Sequence, residues 1–250
     1  MIDRIVPDWR GAAGAAALML WGSAQAQTPS SVSPFGPVMD DNAVQTHAVL
    51  EQFEGRFGAD AALRWDGDAW TGTDSNRLRL RSEGFAGTGG VRDADAELLY
   101  ARPATTYFDL QLGAREDFQA AAQRTWAALG VEGLAPYSVR IAATVYASDA
   151  GHLAARLSVN QDDLITQRLI LQPTLELDAY SRADSGLDEA TGLSSVEASL
   201  RLRYEITRKC APYLGVAYRN ASPANLATAS GGATPVTPRW TATLGIRAWF

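Results

Sequence analysis

The sequence predicts an all-β fold, a transmembrane antiparallel β-barrel of the bacterial outer membrane with twelve strands, and three observations lead there. The first is alternation. In residues 76–84, "NRLRLRSEG", Arg77, Arg79 and Arg81 take turns with Leu78 and Leu80. Successive side chains on a strand point to opposite faces, so one face here is apolar and the other ionic. The second is connection length, which very nearly alternates between short turns and longer loops, as in barrels with periplasmic turns and extracellular loops. The third is the start of the chain. Arg4 and Arg10 precede the apolar run "GAAGAAALMLWG", followed by the small residues Ala24 and Ala26, which reads as an export signal over residues 1–26. That run is shorter than the roughly 20 apolar residues a spanning helix needs.

Residues 27–43 are rich in Pro and Ser and read as a flexible lead-in to a barrel filling 44–250. Strands are predicted over 44–57, 62–70, 76–84, 93–102, 106–116, 124–133, 137–147, 152–161, 165–179, 195–207, 211–219 and 239–250. The clearest are those that alternate. Phe108, Leu110 and Leu112 oppose Asp109, Gln111 and Arg115, and Leu169, Leu171, Leu175 and Leu177 oppose Arg168, Gln172, Glu176 and Asp178. Leu200, Leu202, Tyr204 and Ile206 oppose Arg201, Arg203 and Glu205, and Trp240, Leu244, Ile246 and Phe250 oppose Thr241, Thr243 and Arg247. Between them, "TGTDS", "PAT", "LAP", "DDL" and the corner at Lys209 and Cys210 read as inner turns. "FAGTGGVR", "DFQAAAQ", 180–194 and 220–238 read as outer loops. Aromatic residues near strand ends, among them Trp65, Trp70, Tyr100, Tyr107, Tyr137, Tyr213, Trp240 and Trp249, fit interfacial girdles.

In this fold Leu78 and Leu80 face lipid and the arginines face the lumen. A lone lumen charge is costly, so the polar faces are expected to neutralise one another in an ionic ladder of Arg77, Arg79, Arg81, Glu83, Asp109, Arg115, Arg168, Glu176, Arg201, Arg203 and Glu205. Twelve strands enclose more space than the eight whose side chains alone fill a barrel, and less than an open sixteen-stranded porin, so a slender or partly plugged channel is expected.

A net charge of −6 and a pI near 5.0 leave no basic stripe for phosphates, which excludes nucleic acid as a partner. A single cysteine, Cys210, means that no disulfide holds this exported chain together.

The segments "WDGDAW" (65–70), "NRLRLRSEG" (76–84), "YFDLQLGAREDF" (107–118), "GLAPY" (133–137), "DLITQRLILQP" (163–173) and "GLSSVEASLRLRYEITRKCAPYLGV" (192–216) resemble the copper resistance protein B family of bacterial outer membranes. The resemblance runs from "MDDN" at 39–42 through "YLGVAYR". It implies a non-enzymatic outer-membrane barrel in lipid that serves copper tolerance, with copper ions as cargo and a periplasmic multicopper oxidase or copper carrier as partner. Many family members carry a Met- and His-rich segment ahead of the barrel, where this chain has Pro and Ser. Copper needs thioether or imidazole donors. After signal cleavage only Met39, His47, His152 and Cys210 remain, so Met39, Asp40, Asp41 and His47 form the candidate metal cluster. His152 reads as a loop or rim residue. Three rivals come from other classes, one of them a structural or adhesive barrel, against which the long but small and flexible loop "RNASPANLATASGGATPVTP" speaks. A lipid hydrolase would need a His placed to meet a nucleophile, and neither His47 nor His152 has the His-x-Ser spacing of barrel hydrolases. A narrow general pore, with an Arg- and carboxylate-lined lumen and no metal preference, fits the ionic face equally well.

Overall fold

Strong alternation makes strands, and in the structure, a computed structural model, almost all of the described chain is strand. The described residues are 43–58, 61–87, 89–119, 123–182, 191–221 and 239–250. The expected signal over 1–26 and all of the lead-in before Ala43 lie outside them. In chain order the strands are β1 (Gln45–Phe57), β2 (Ala62–Gly72), β3 (Arg77–Gly87), β4 (Gly90–Pro103), β5 (Phe108–Gln119), β6 (Gln123–Ala135) and β7 (Val139–Ser148). They continue with β8 (Leu153–Gln161), the two-residue β9 (Asp163–Leu164), β10 (Leu169–Tyr180), β11 (Gly192–Tyr204), β12 (Cys210–Ala221) and β13 (Arg239–Trp249). Each long strand pairs antiparallel with the next, and β13 returns to β1 through Val49↔Trp249 to Phe57↔Ala242. The sheet is therefore a closed barrel of twelve long strands, with β9 a short extension against the start of β10. Closure pairs every edge, which is what lets strands cross a layer that offers the backbone no hydrogen bonds.

The faces follow the alternation. On the outside, Leu78 and Leu80 are 49% and 43% exposed, and Leu112, Leu129, Leu214 and Leu244 likewise present bare apolar side chains. On the inside, Glu54, Arg64, Gln111, Arg201 and Arg203 are buried. A fold with charged residues at its centre and leucines on its surface is stable only with hydrocarbon outside. One apolar patch sits within the lumen wall, where Leu99, Trp126, Ala128 and Tyr146 pack together.

Three local features depart from the expected pattern. β1 carries a bulge: its register to β2 shifts between Leu50 and Gln52. The extra residue changes the phase, so His47, Val49 and Glu51 line the interior before the bulge and Gln52, Glu54 and Arg56 are buried after it. The strand expected over 165–179 starts only at Leu169, because 165–168 form a turn in which the Thr166 hydroxyl accepts from the Leu169 N–H. The expected loops "FAGTGGVR" and "DFQAAAQ" are mostly strand, since β3 runs to Gly87, β4 starts at Gly90, β5 runs to Gln119 and β6 starts at Gln123.

The five short turns, the start of β1 and the end of β13 share one end of the barrel. By the usual arrangement of such barrels this is the periplasmic end. One of its turns, Pro136–Ser138, places Tyr137 and Ser138 at φ 65° and 61°. Exposed Tyr100, Tyr107, Tyr137 and Tyr204 ring this end, and Phe57, Phe118 and Trp240 the other. Trp70, Tyr213 and Trp249, expected in the girdles, instead face the lumen: Trp70 and Trp249 line its cavity, and the Tyr213 hydroxyl donates to Glu54.

Candidate functional site: the ionic lumen and its periplasmic vestibule

Inward alternation on every strand leaves guanidinium and carboxylate groups no neighbours but one another. Toward the extracellular half, Arg56 donates to Glu54 (2.8 Å) and to Glu197 (2.5 and 3.1 Å). Arg201 donates to Glu54 (3.1 Å), to Gln52 (3.0 Å) and to Ser199 (2.7 Å). Arg64 bridges Glu197 (2.6 Å) and Glu176 (2.8 Å) and approaches Glu83 at 3.7 Å. In mid-barrel, Arg156 holds Asp178 (2.8 Å), Glu83 and Asp95 (3.4 Å), and Arg115 holds Asp95 (3.0 Å) and Asp117 (2.5 Å). Nearer the periplasmic end, Arg79 and Arg81 share Asp68 and Glu132, Arg77 pairs with Asp109 at 3.1 Å, and Arg247 grips Glu51 at 2.6 and 3.0 Å. Aromatic faces add to this: Phe85 has Arg56, Arg64 and Arg219 within 5.3 Å of its ring centre.

Of the expected ladder, Arg77, Arg79, Arg81, Glu83, Asp109, Arg115, Glu176, Arg201 and Arg203 are brought together inside the barrel. Arg203 reaches Asp162 at 3.0 Å. Two residues stand outside it. Arg168 is exposed in the turn before β10, and Glu205 lies past the end of β11, where its N–H donates to the Arg168 carbonyl. In both cases period two was extended past a strand end, which leaves Arg168 exposed in a turn and Glu205 half-buried beyond β11. Glu205 contributes only its field at Arg247. Sequence reasoning missed Glu51, Glu54, Arg56, Asp95 and Asp117. The signal for four of them was present: Asp95 and Glu97 alternate with alanine and leucine, Asp117 is two after Arg115, and Glu54 and Arg56 alternate with Phe53 and Gly55.

Three of these bridges join opposite walls. Arg140 on β7 approaches Glu51 on β1 at 3.7 Å, Arg156 on β8 meets Glu83 on β3, and Arg64 on β2 meets Glu176 on β10 at 2.8 Å. Among the described residues, open space is found at the periplasmic end. Two adjoining cavities of about 410 and 380 Å³ share Trp70, Arg79, Glu132 and Arg140 as lining. His47 lines the second, its ring stacked on Trp70 with centres 6.1 Å apart. The carboxylates around it are already engaged: Glu51 by Arg247, and Asp68 and Glu132 by Arg79.

For copper, the described residues supply one imidazole in this vestibule and no group of three His, Cys, Asp or Glu suited to a metal. Met39, Asp40 and Asp41, the other candidates, lie outside the described residues. His152 is at the opposite end, where Arg124 contacts its Nδ1 at 3.4 Å, and Cys210 opens β12, half-buried.

A closed antiparallel barrel, apolar outside and ionic inside, is an outer-membrane barrel protein. Its fold is similar to that of a NanC porin, with a TM-score of 0.51, 13% identity, and coverage of 82% of this chain and 99% of the porin. The family model for the copper resistance protein B precursor matches residues 44–250, and the chain belongs to that family. It is 41% identical over 187 residues to a copper resistance protein B homolog of Pseudomonas syringae pv. tomato, covering 74% of this chain and 64% of that protein. It is 39% identical over 184 residues to copper resistance protein B of Escherichia coli, covering 73% and 62%. The match thus spans less than two thirds of either relative's length.

Proposed function

We propose that this protein serves copper tolerance by handling copper ions at the periplasmic mouth of the barrel. The observation that carries the reading is the division of the lumen: Arg156–Glu83 and Arg64–Glu176 tie opposite walls together farther in, while the open vestibule lies where β1 enters and contains His47. Met39, Asp40 and Asp41 shortly precede β1 in sequence, so a thioether, two carboxylates and an imidazole are within a few residues of one another in the chain. Such a mixed donor set suits copper better than magnesium or calcium, which prefer all-oxygen sites. Copper would be exchanged there with a periplasmic multicopper oxidase or carrier, and the barrel would act without catalysis.

The test is titration of Cu(I) and Cu(II) into the folded mature protein and into Met39→Ala/His47→Ala. Stoichiometric binding lost in the double variant supports the reading. A wild-type protein that binds no copper overturns it in favour of the second reading, a narrow pore without metal preference, which the Arg- and carboxylate-lined lumen favours.

A further inference from the structure

The ion pairs of the lumen fall into two kinds. The Glu54 carboxylate is fully buried and held by Arg56 of its own strand and Arg201 three strands away through the β13–β1 seam, so it works as packing. Arg156 is different. It starts on β8 and reaches Glu83 on β3, five strands round the barrel by way of β7, β6, β5 and β4, and its side chain is 24% exposed.

What it reaches is unusual. Asp66, Glu83, Asp95 and Asp117 are direct cross-strand neighbours on β2, β3, β4 and β5, through Asp66↔Glu83, Glu83↔Asp95 and Asp95↔Asp117. Like charges placed directly opposite repel, so the pairing of these strands is opposed by the row it creates. Arg115, within the same wall, engages Asp95 and Asp117, and Arg64 approaches Glu83 only at 3.7 Å. Asp66 has no ion-pair partner among the described residues. The remaining neutralisation comes from Arg156, which simultaneously keeps its Nε on Asp178 of the neighbouring β10 at 2.8 Å. One side chain therefore both covers the acidic row and blocks the cross-section.

We propose that Arg156 is a latch, and that releasing it turns the barrel into a pore that conducts simple cations along the β2–β5 wall. With Arg156 withdrawn toward Asp178, carboxylates outnumber the guanidinium groups on that wall, and a low-dielectric channel lined by one sign of charge concentrates counter-ions of the other. The proposal concerns permeation and not a bound metal, and it does not require copper to bind at the mouth.

The experiment is conductance of the full mature chain in planar bilayers, under a KCl gradient without copper, so that its result is independent of the copper titration. Wild type is expected to conduct weakly. Arg156→Ala should conduct severalfold more and prefer K⁺ to Cl⁻, while Arg168→Ala, in the exposed turn before β10 and outside the lumen network, should behave as wild type. Glu83→Gln/Asp95→Asn frees the latch from the other side while leaving Arg156 in the lumen. It should also open the barrel but lose the K⁺ preference, and it serves if Arg156→Ala does not fold. Folding of each variant is checked by the heat-dependent gel mobility of a closed barrel. Folded release variants that conduct no more than wild type, or an Arg156→Ala pore that prefers Cl⁻, overturn the proposal.

Discussion

Glu54 offers the sharpest test of whether the lumen network is structural. Its side chain is 0% exposed and accepts from Arg56 Nε at 2.8 Å, from Arg201 Nε at 3.1 Å and from the Tyr213 hydroxyl at 3.0 Å. Glu54→Ala removes one carboxylate and leaves its donors where they are. Arg56 is not orphaned, because Glu197 still accepts from it at 2.5 Å. Arg201 keeps only the neutral partners Gln52 and Ser199. Breaking a buried pair and leaving one charge uncompensated costs about 3–5 kcal/mol, and with a single orphan the lower end applies, about 3 kcal/mol. The reference is Arg77→Ala, whose pair with Asp109 is about a third exposed on both sides. There solvent screens both charges and about 1 kcal/mol or less is expected. Reversible urea unfolding from lipid vesicles, followed by tryptophan fluorescence, measures both. If Glu54→Ala loses no more stability than Arg77→Ala, the buried network is not what holds the walls together.

Further outcomes follow from the same geometry. Leu112 is 59% exposed in the middle of β5, and Leu112→Arg should cost about 2–4 kcal/mol in the same assay if it faces hydrocarbon; a neutral result would place it elsewhere. Gly113 faces the lumen where a Cβ would lie 2.0 Å from the Leu98 carbonyl oxygen, so Gly113→Val should fail to give a heat-modifiable folded band, and a normal band would refute the close approach of β4 to β5. Arg79 and Arg81 both engage Asp68 and Glu132, so each can cover for the other. Arg79→Ala and Arg81→Ala should each be mild, and the double variant should exceed their sum by about 0.5–3 kcal/mol; strict additivity would mean the two do not share their acids.

Strand positions and faces were legible because they depend on a period that each segment carries by itself. Arg77, Arg79 and Arg81 point inward as their alternation with Leu78 and Leu80 requires. The errors came where local pattern ends. Arg168 and Glu205 continue the alternation of "LITQRLIL" and "LRYEI", yet β10 starts only after one and β11 ends before the other. The bulge at Glu51 and Gln52 leaves no mark in the composition of β1, and it alone decides that Glu54 and Arg56 point inward together with His47. The partners were not legible at all. Arg156 and Glu83 are 73 residues apart and five strands round the barrel, so no local rule selects one for the other.

The choice of cation connects these observations. Of 22 Lys and Arg residues, the one lysine is Lys209, at an exposed turn, and every cation of the lumen network is arginine. An ammonium is a compact, strongly hydrated charge, and burying it among several acids would strip water that its few donors could not replace. A guanidinium presents five N–H groups in a flat fork, so one residue can hold acids on different strands, as Arg64 holds Glu176 and Glu197 and Arg156 holds Glu83 and Asp178. That geometry lets a barrel with little apolar packing inside keep its walls in register. It also makes the closure divisible: a fork that spans two walls can let go of one and stay on the other. On this reasoning Arg156→Lys should keep the charge but lose one of its two attachments, giving a conductance between those of wild type and Arg156→Ala. A lysine variant as tightly closed as wild type would show that charge alone, and not the fork, shuts the lumen.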